Sequence, residues 1–190
     1  FVRRMFFALW PDPGWSERLL GAARGPMSQG DGRAVVSADL HVTLCFLGAV
    51  GEPVLAGLRE GVAALRAAQF ELEFDALEYW PQSRIFAATS SRLPAAASEL
   101  ARTLRSLARA LGLRADEQPL RPHVTLVHGM ASRAEPPAPM PALSLSPPLR
   151  LAAQRFYLAQ SHELEAASAT AAQAHRYLRL ESWPLLAPQR

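Results

Sequence analysis

Residues 5–10 form an unbroken apolar run closed by Pro11, Asp12, Pro13 and Gly14, which predicts a buried strand rather than a helix. From Trp15 onward Leu19, Leu20 and Ala23 recur at helical spacing, and Gly25 and Pro26 stop the pattern. Strands are expected at 33–36 and 40–47, the latter closed by Gly48. A helix over 53–67 carries Val54, Leu58, Val62 and Leu65 on one stripe. Over 69–76, Phe70, Leu72 and Phe74 alternate with Glu71, Glu73 and Asp75, the pattern of a half-buried strand; 84–89 reads as another. The long helix predicted at 95–111 turns Leu100, Leu104, Leu107 and Leu111 inward and Arg102, Arg105 and Arg109 outward, and Gly112 ends it. A strand over 122–127, a proline-rich surface loop over 131–148, and closing strands at 151–159 and 175–183 with a polar loop between complete the reading. Strands and helices alternate irregularly, which favours an α+β fold over a doubly wound parallel sheet.

With 190 residues, 49% hydrophobic and 19% charged, the sequence suits a single domain spanning 1–190. The four residues before Met5 are expected to lie outside the native chain, since translation does not begin at Phe1. All 20 basic residues are arginine. Schiff-base chemistry, lysyl-nucleotide ligase intermediates and phosphate-loop lysines are therefore excluded. The net charge of +3 permits a polyanionic ligand without requiring one. Cys45, the lone cysteine, makes no internal disulfide, and a reducing cytoplasmic setting is expected. No apolar stretch reaches 18 residues, so no membrane association is expected.

One feature exceeds background. The tetrapeptide HVTL occurs at 41–44 and again, letter for letter, at 123–126, using two of the five histidines. In an extended chain His41 and Thr43 share one face, as do His123 and Thr125, with side chains roughly 6.5–7 Å apart along the strand. That spacing suits two groups gripping one phosphate-sized anion. A single histidine on a strand is more often structural, but two identical copies suggest related halves facing one another across a cleft. Histidines titrate near neutrality, so one can serve as general base and the other as general acid in an in-line displacement at phosphorus. Threonine hydroxyls would donate to the phosphoryl oxygens as charge develops there. No metal or cofactor is required.

With these motifs the sequence resembles the two-histidine phosphoesterases, specifically the bacterial and archaeal RNA 2',3'-cyclic phosphodiesterases, long called 2'-5' RNA ligase-like proteins. The likeness runs from RMFFALWPDP through DLHVTLCFLGAV, YWPQSRIF and RPHVTL to RYLRLESWPL. It implies a bilobal α+β fold of pseudo-twofold symmetry, with antiparallel sheets lining a central cleft and helices packed outside. It implies hydrolysis of an RNA 2',3'-cyclic phosphate end, or of a short cyclic nucleotide, to a 2'-phosphomonoester. His41 would be the proton donor to the leaving 3'-oxygen and His123 the proton acceptor for water; no obligate protein partner is implied. Relatives often carry an arginine five residues after the second motif histidine, where this chain has His128. Strict alternation puts His128 on the face opposite His123, although Gly129 could turn it back. Arg84 and Arg121 are candidate substitutes for the arginine's charge.

Cys45 shares the His41 face by parity but stands too far along the strand to bond it. Phe46, on the opposite face, is assigned to the core. Phe6 and Trp80 are candidate platforms for a nucleobase among the strand aromatics, which include Trp10 and Tyr157. Two rival functions are a non-catalytic RNA- or nucleotide-binding module and a 2',5'-linkage phosphodiesterase.

Overall fold

The computed structural model describes residues 3–115, 118–132, 140–162 and 176–187. Its elements are β1 (Arg3–Leu9), α1 (Pro13–Met27), β2 (Gly30–Ala34), a 3-10 turn (Ser37–Asp39), β3 (Val42–Val50), α2 (Glu52–Ala63), β4 (Phe70–Trp80), β5 (Ile85–Thr89), α3 (Ala95–Ala110), β6 (His123–Ser132), β7 (Leu143–Ala153), β8 (Arg155–Ser161) and β9 (Tyr177–Pro184). The fold is α+β, as the pattern predicts. A nine-stranded antiparallel sheet runs β7-β4-β5-β6-β3-β1-β8-β9, with β2 added to β6. The motif strands β3 and β6 meet at its centre through the pair Val42 and Val124. Four strands of that order therefore lie on each side of the junction, and β2 adds a fifth on the β6 side.

Several boundaries depart from the expected ones. Helix α1 begins at Pro13, capped by the Asp12 carboxylate, which accepts the Trp15 amide hydrogen at 2.9 Å. It continues through Gly25 and Pro26 to Met27; the proline falls in the last turn, where Ser28 closes the helix by donating its amide and hydroxyl back to backbone carbonyls. Helix α2 stops at Ala63, four residues early. The apolar stretch at 151–159 splits at Gln154 into β7, paired with β4, and β8, paired with β1. Strand β6 runs on to Ser132 and β7 starts at Leu143, so both invade the loop predicted for 131–148. Residues 133–139, and most of the polar loop ending at 174, lie outside the described residues.

β1 is apolar on both faces because it is buried on both. Met5, Phe7 and Leu9 join the main core, while Phe6 and Ala8 form a second small cluster with Ala159, Trp10 and Tyr177. On α3, buried Leu100, Leu104 and Ala108 face inward and Arg102 and Arg109 face solvent. Gly57 and Gly61 let α2 approach α3, where a side-chain carbon would collide with Leu111 or Leu107. Among the described residues no helix is long and apolar enough to cross a membrane.

Candidate active site

His41 stands one residue before β3, delivered by the 3-10 turn, and His123 opens β6. Each imidazole is held in the same way. His41 Nδ1 lies 2.7 Å from the carbonyl of Asp39, and His123 Nδ1 lies 2.9 Å from the carbonyl of Arg121, two residues back in each case. A carbonyl can only accept, so each Nδ1 carries its hydrogen and each Nε2 is left for chemistry. The Val42–Val124 pairing, continued by one residue each way, sets His41 against Thr125 and Thr43 against His123. The two histidines are then diagonal neighbours, whose typical separation is about 7–8 Å. All four motif side chains are half-buried rather than sealed in the core.

The strands depart from simple alternation at the same place in both copies. In the β1–β3 ladder Ala8 pairs with Thr43 and Phe7 with Cys45, leaving Leu44 as an extra residue. In the β5–β6 ladder Ala87 pairs with Thr125 and Phe86 with Val127, leaving Leu126 as the extra residue. Each bulge reverses the facing of the residues that follow it, in β3 as far as a second bulge at Leu47. Cys45 is thereby buried at 4% exposure and its thiol is pushed up to about 11 by burial, whereas Phe46 stands 63% exposed. Both assignments from strict parity are corrected: Phe46 belongs to the motif face and Cys45 to the core. The same reversal returns His128 to the side of His123 and Thr125, without Gly129 ending the strand.

The surroundings of the two histidines differ. His41 is enclosed by the rings of Trp10 at 4.9 Å, Phe6 at 5.0 Å and Tyr177 at 4.7 Å. Burial in this aromatic cage, together with the neighbouring His123 and His128, lowers its pKa to about 4 against the partial support of the Asp39 carbonyl. Trp10 is fixed by its Nε1, which donates to the carbonyl of Ala38 at 2.8 Å. Among the described residues His123 has one aromatic neighbour, Trp80, at 4.8 Å, and its pKa is also lowered, chiefly by burial. Trp80 in turn donates to Glu78 at 2.9 Å and lies under the Arg121 guanidinium at 4.4 Å. Arg121 bonds the same Glu78 oxygen at 2.5 Å. Thr43, Phe46, Trp80, Arg105, Arg121 and His123 line a cavity of about 240 Å³ beside this histidine.

The other expected site residues are distributed unevenly. Phe6 touches His41 but is only 3% exposed, so it backs the imidazole and offers no open face to a base. Arg84, at φ 52° in the turn before β5, donates to the carbonyls of Gly129 and Met130 and ties down β6. Arg121 orients Trp80 and receives the His123 hydrogen bond. Reading the sequence missed Tyr177, set Trp10 aside and misplaced Phe46. One signal was available: a Trp-Pro pair follows β1 at Trp10 and another ends β4 at Trp80, each tryptophan packed on a motif histidine. A third such pair, at Trp183, instead packs its ring on Phe7 and Phe156.

A central pair of identically tethered imidazoles, each with a threonine on its own strand, defines a two-histidine site on an antiparallel α+β scaffold. The family comparison agrees: the model of the 2'-5' RNA ligase superfamily matches residues 10–165, and the chain belongs to that superfamily of two-histidine phosphoesterases. The chain is similar to the RNA 2',3'-cyclic phosphodiesterase of Escherichia coli (strain K12), with 28% identity over 137 residues, 72% of this chain and 78% of that one. It is similar to the RNA 2',3'-cyclic phosphodiesterase of Aeropyrum pernix, with 31% identity over 107 residues, 55% of this chain and 61% of that one. Among solved structures, E. coli LigT complexed with 3'-AMP superposes with a TM-score of 0.82 at 27% identity, covering 97% of this chain and 99% of that one.

Proposed function

We propose that this protein hydrolyses RNA 2',3'-cyclic phosphate ends to 2'-phosphomonoesters by paired histidine catalysis. The observation that carries this reading is the duplicated tether, which frees two Nε2 atoms at diagonal register positions where the two motif strands meet. His123, neutral at pH 7 through burial, accepts the proton of the attacking water. His41 protonates the departing 3'-oxygen, the P–O3' bond breaking as the water oxygen bonds to phosphorus. Thr43 and Thr125 donate their hydroxyls to the phosphoryl oxygens as negative charge builds there. The choice of 2'-product rests on kinship with proteins named RNA 2',3'-cyclic phosphodiesterase. Exposed Phe46, at the mouth of the cavity beside Trp80 and His123, is the platform for the nucleobase.

The test is turnover of a 2',3'-cyclic nucleotide and of an RNA oligomer bearing that end. General acid and base groups each contribute typically 10²–10⁴-fold, so His41→Ala and His123→Ala should each lose at least about a hundredfold in kcat. Full activity in folded His123→Ala overturns the mechanism.

A further inference from the structure

Two arginines, Arg33 and Arg176, come together around His128, which is itself an electrostatic neighbour of His41, from three separate segments. Arg33 on β2 is the direct register partner of His128 on β6. Arg176 immediately precedes Tyr177, the first residue of β9, whose ring stands 4.7 Å from His41. The Arg176 backbone is pinned: its amide donates to the Asp39 carboxylate at 2.7 Å, and the carbonyl of Asp39 is the acceptor that holds His41. Its side chain is another matter, because Nε is buried with no hydrogen-bond acceptor among the described residues. All four of these side chains, Arg33, His128, Arg176 and Tyr177, are half-buried rather than splayed into solvent.

Such a grouping is unfavourable as it stands. The two arginines resist each other and keep His128 from charging: the Arg33 guanidinium is weakened as a base by burial and by Arg176, against partial support from Tyr177 and Asp39, and His128 is held below its ordinary pKa by burial and then by Arg33 and Arg176. The nearby carboxylate, Asp39, already receives the Arg176 amide. Partly buried like charges and a guanidinium N–H lacking an acceptor share one remedy, an anion with several acceptor oxygens. The bulge at Leu126 supplies the remaining geometry by turning His128 toward the face of His123 and Thr125.

We propose that Arg33, Arg176 and His128 form an anion seat that grips the non-bridging oxygens of a phosphate held against His41. Guanidinium groups match phosphate oxygens with forked pairs of N–H donors, and two of them arriving from different segments fix the group in orientation as well as position. The seat would also govern the neighbouring imidazole, since an anion beside His41 favours its protonated form. That the anion is the substrate's phosphodiester rests on the function proposed above; the seat itself is defined by its own side chains.

The experiment is calorimetric titration of the folded chain with inorganic phosphate, on the parent and on Arg33→Gln, Arg176→Gln and Arg33→Lys, with thermal melts to show that each variant is folded. Loss of a charged hydrogen-bond donor weakens binding about tenfold or more, so each glutamine variant should bind phosphate at least about tenfold less tightly and Arg33→Lys should recover part of the loss. With a 2',3'-cyclic substrate, KM should rise more than kcat falls. Should Arg176→Gln fail to fold, Arg33→Gln and His128→Gln carry the test. The seat is overturned if the parent binds no phosphate, or if folded glutamine variants bind it as the parent does. Phosphate binding that follows Arg33 and Arg176 in a protein without turnover keeps the seat and removes the hydrolase reading. Turnover with unchanged KM in the variants does the reverse.

Discussion

Replacing His41 by asparagine should make the protein more resistant to acid, and the size of the effect follows from the aromatic cage. In the unfolded chain an imidazole takes a proton near pH 6.5, whereas in the folded protein His41 refuses it until about pH 4. The sign is fixed by linkage: between those values the unfolded state binds more protons, so stability is present in full above pH 6.5 and drains away as pH falls toward 4. Each tenfold gap in proton affinity is worth about 1.4 kcal/mol. The whole interval therefore corresponds to about 3 kcal/mol, or about 2–3 once water reaching the open Nε2 edge is allowed for. The assay is urea unfolding at pH 7.5, 6.0, 5.0 and 4.5 for parent and variant, compared as differences so that other titrating groups cancel. The parent should lose about 2 kcal/mol more than His41→Asn over that range, with phosphate reducing the gap. Parallel loss in the two proteins would show that Phe6, Trp10 and Tyr177 do not exclude water from the ring.

Phe46→Ala should raise KM for nucleotide substrates about tenfold or more, the value of one base–aromatic stack, and leave the melting temperature nearly unchanged because the ring is exposed; a normal KM would remove Phe46 from the site. Cys45→Ala should preserve turnover and thiol reagents at pH 7.5 should react slowly, since burial keeps the sulfur protonated; rapid alkylation with loss of activity would contradict this. The kcat/KM profile should be bell-shaped with its maximum below pH 6.5, because both motif histidines have lowered pKa values: activity falls at higher pH as His41 loses its proton and at lower pH as His123 gains one. A plateau extending to pH 8 would reject that assignment. Chelators should leave turnover unchanged, and loss of activity in EDTA would require a different reaction scheme.

The centre of the site was legible in the sequence because its chemistry needs the same residues twice, and HVTL repeats without alteration. The facing of the neighbours was not. In LCFL all four residues are apolar, so no change of hydropathy marks the bulge at Leu44, and one extra residue exchanges the destinations of Cys45 and Phe46. The second bulge falls at Leu126, again within an apolar run, and returns His128 to the motif face. The split at Gln154 was hidden for another reason: the strands before and after it pair with β4 and β1, and periodicity carries no record of a change of partner. Arg33 and Arg176 stand at the beginnings of the strands predicted at 33–36 and 175–183, but only the pairing of strands in the sheet brings them to His128.

Duplication of the backbone, with its paired tethers and paired bulges, would by itself give two equivalent histidines, and the substrate alone would then decide which acts as acid and which as base. The division comes from what surrounds each copy. Five residues after the motif histidine, the first strand presents Phe46 and the second His128, so one copy meets the cleft with an apolar ring and the other with a group that can carry charge. His41, enclosed by three rings, is the poorer proton holder until an anion arrives beside it, and a weakly held proton is the more readily given to a departing oxygen. His123, beside the Trp80–Arg121–Glu78 cluster, stays neutral and ready to accept. In the proposed mechanism the phosphate completes the site: its charge, held by Arg33 and Arg176, favours on His41 the proton that the reaction then uses.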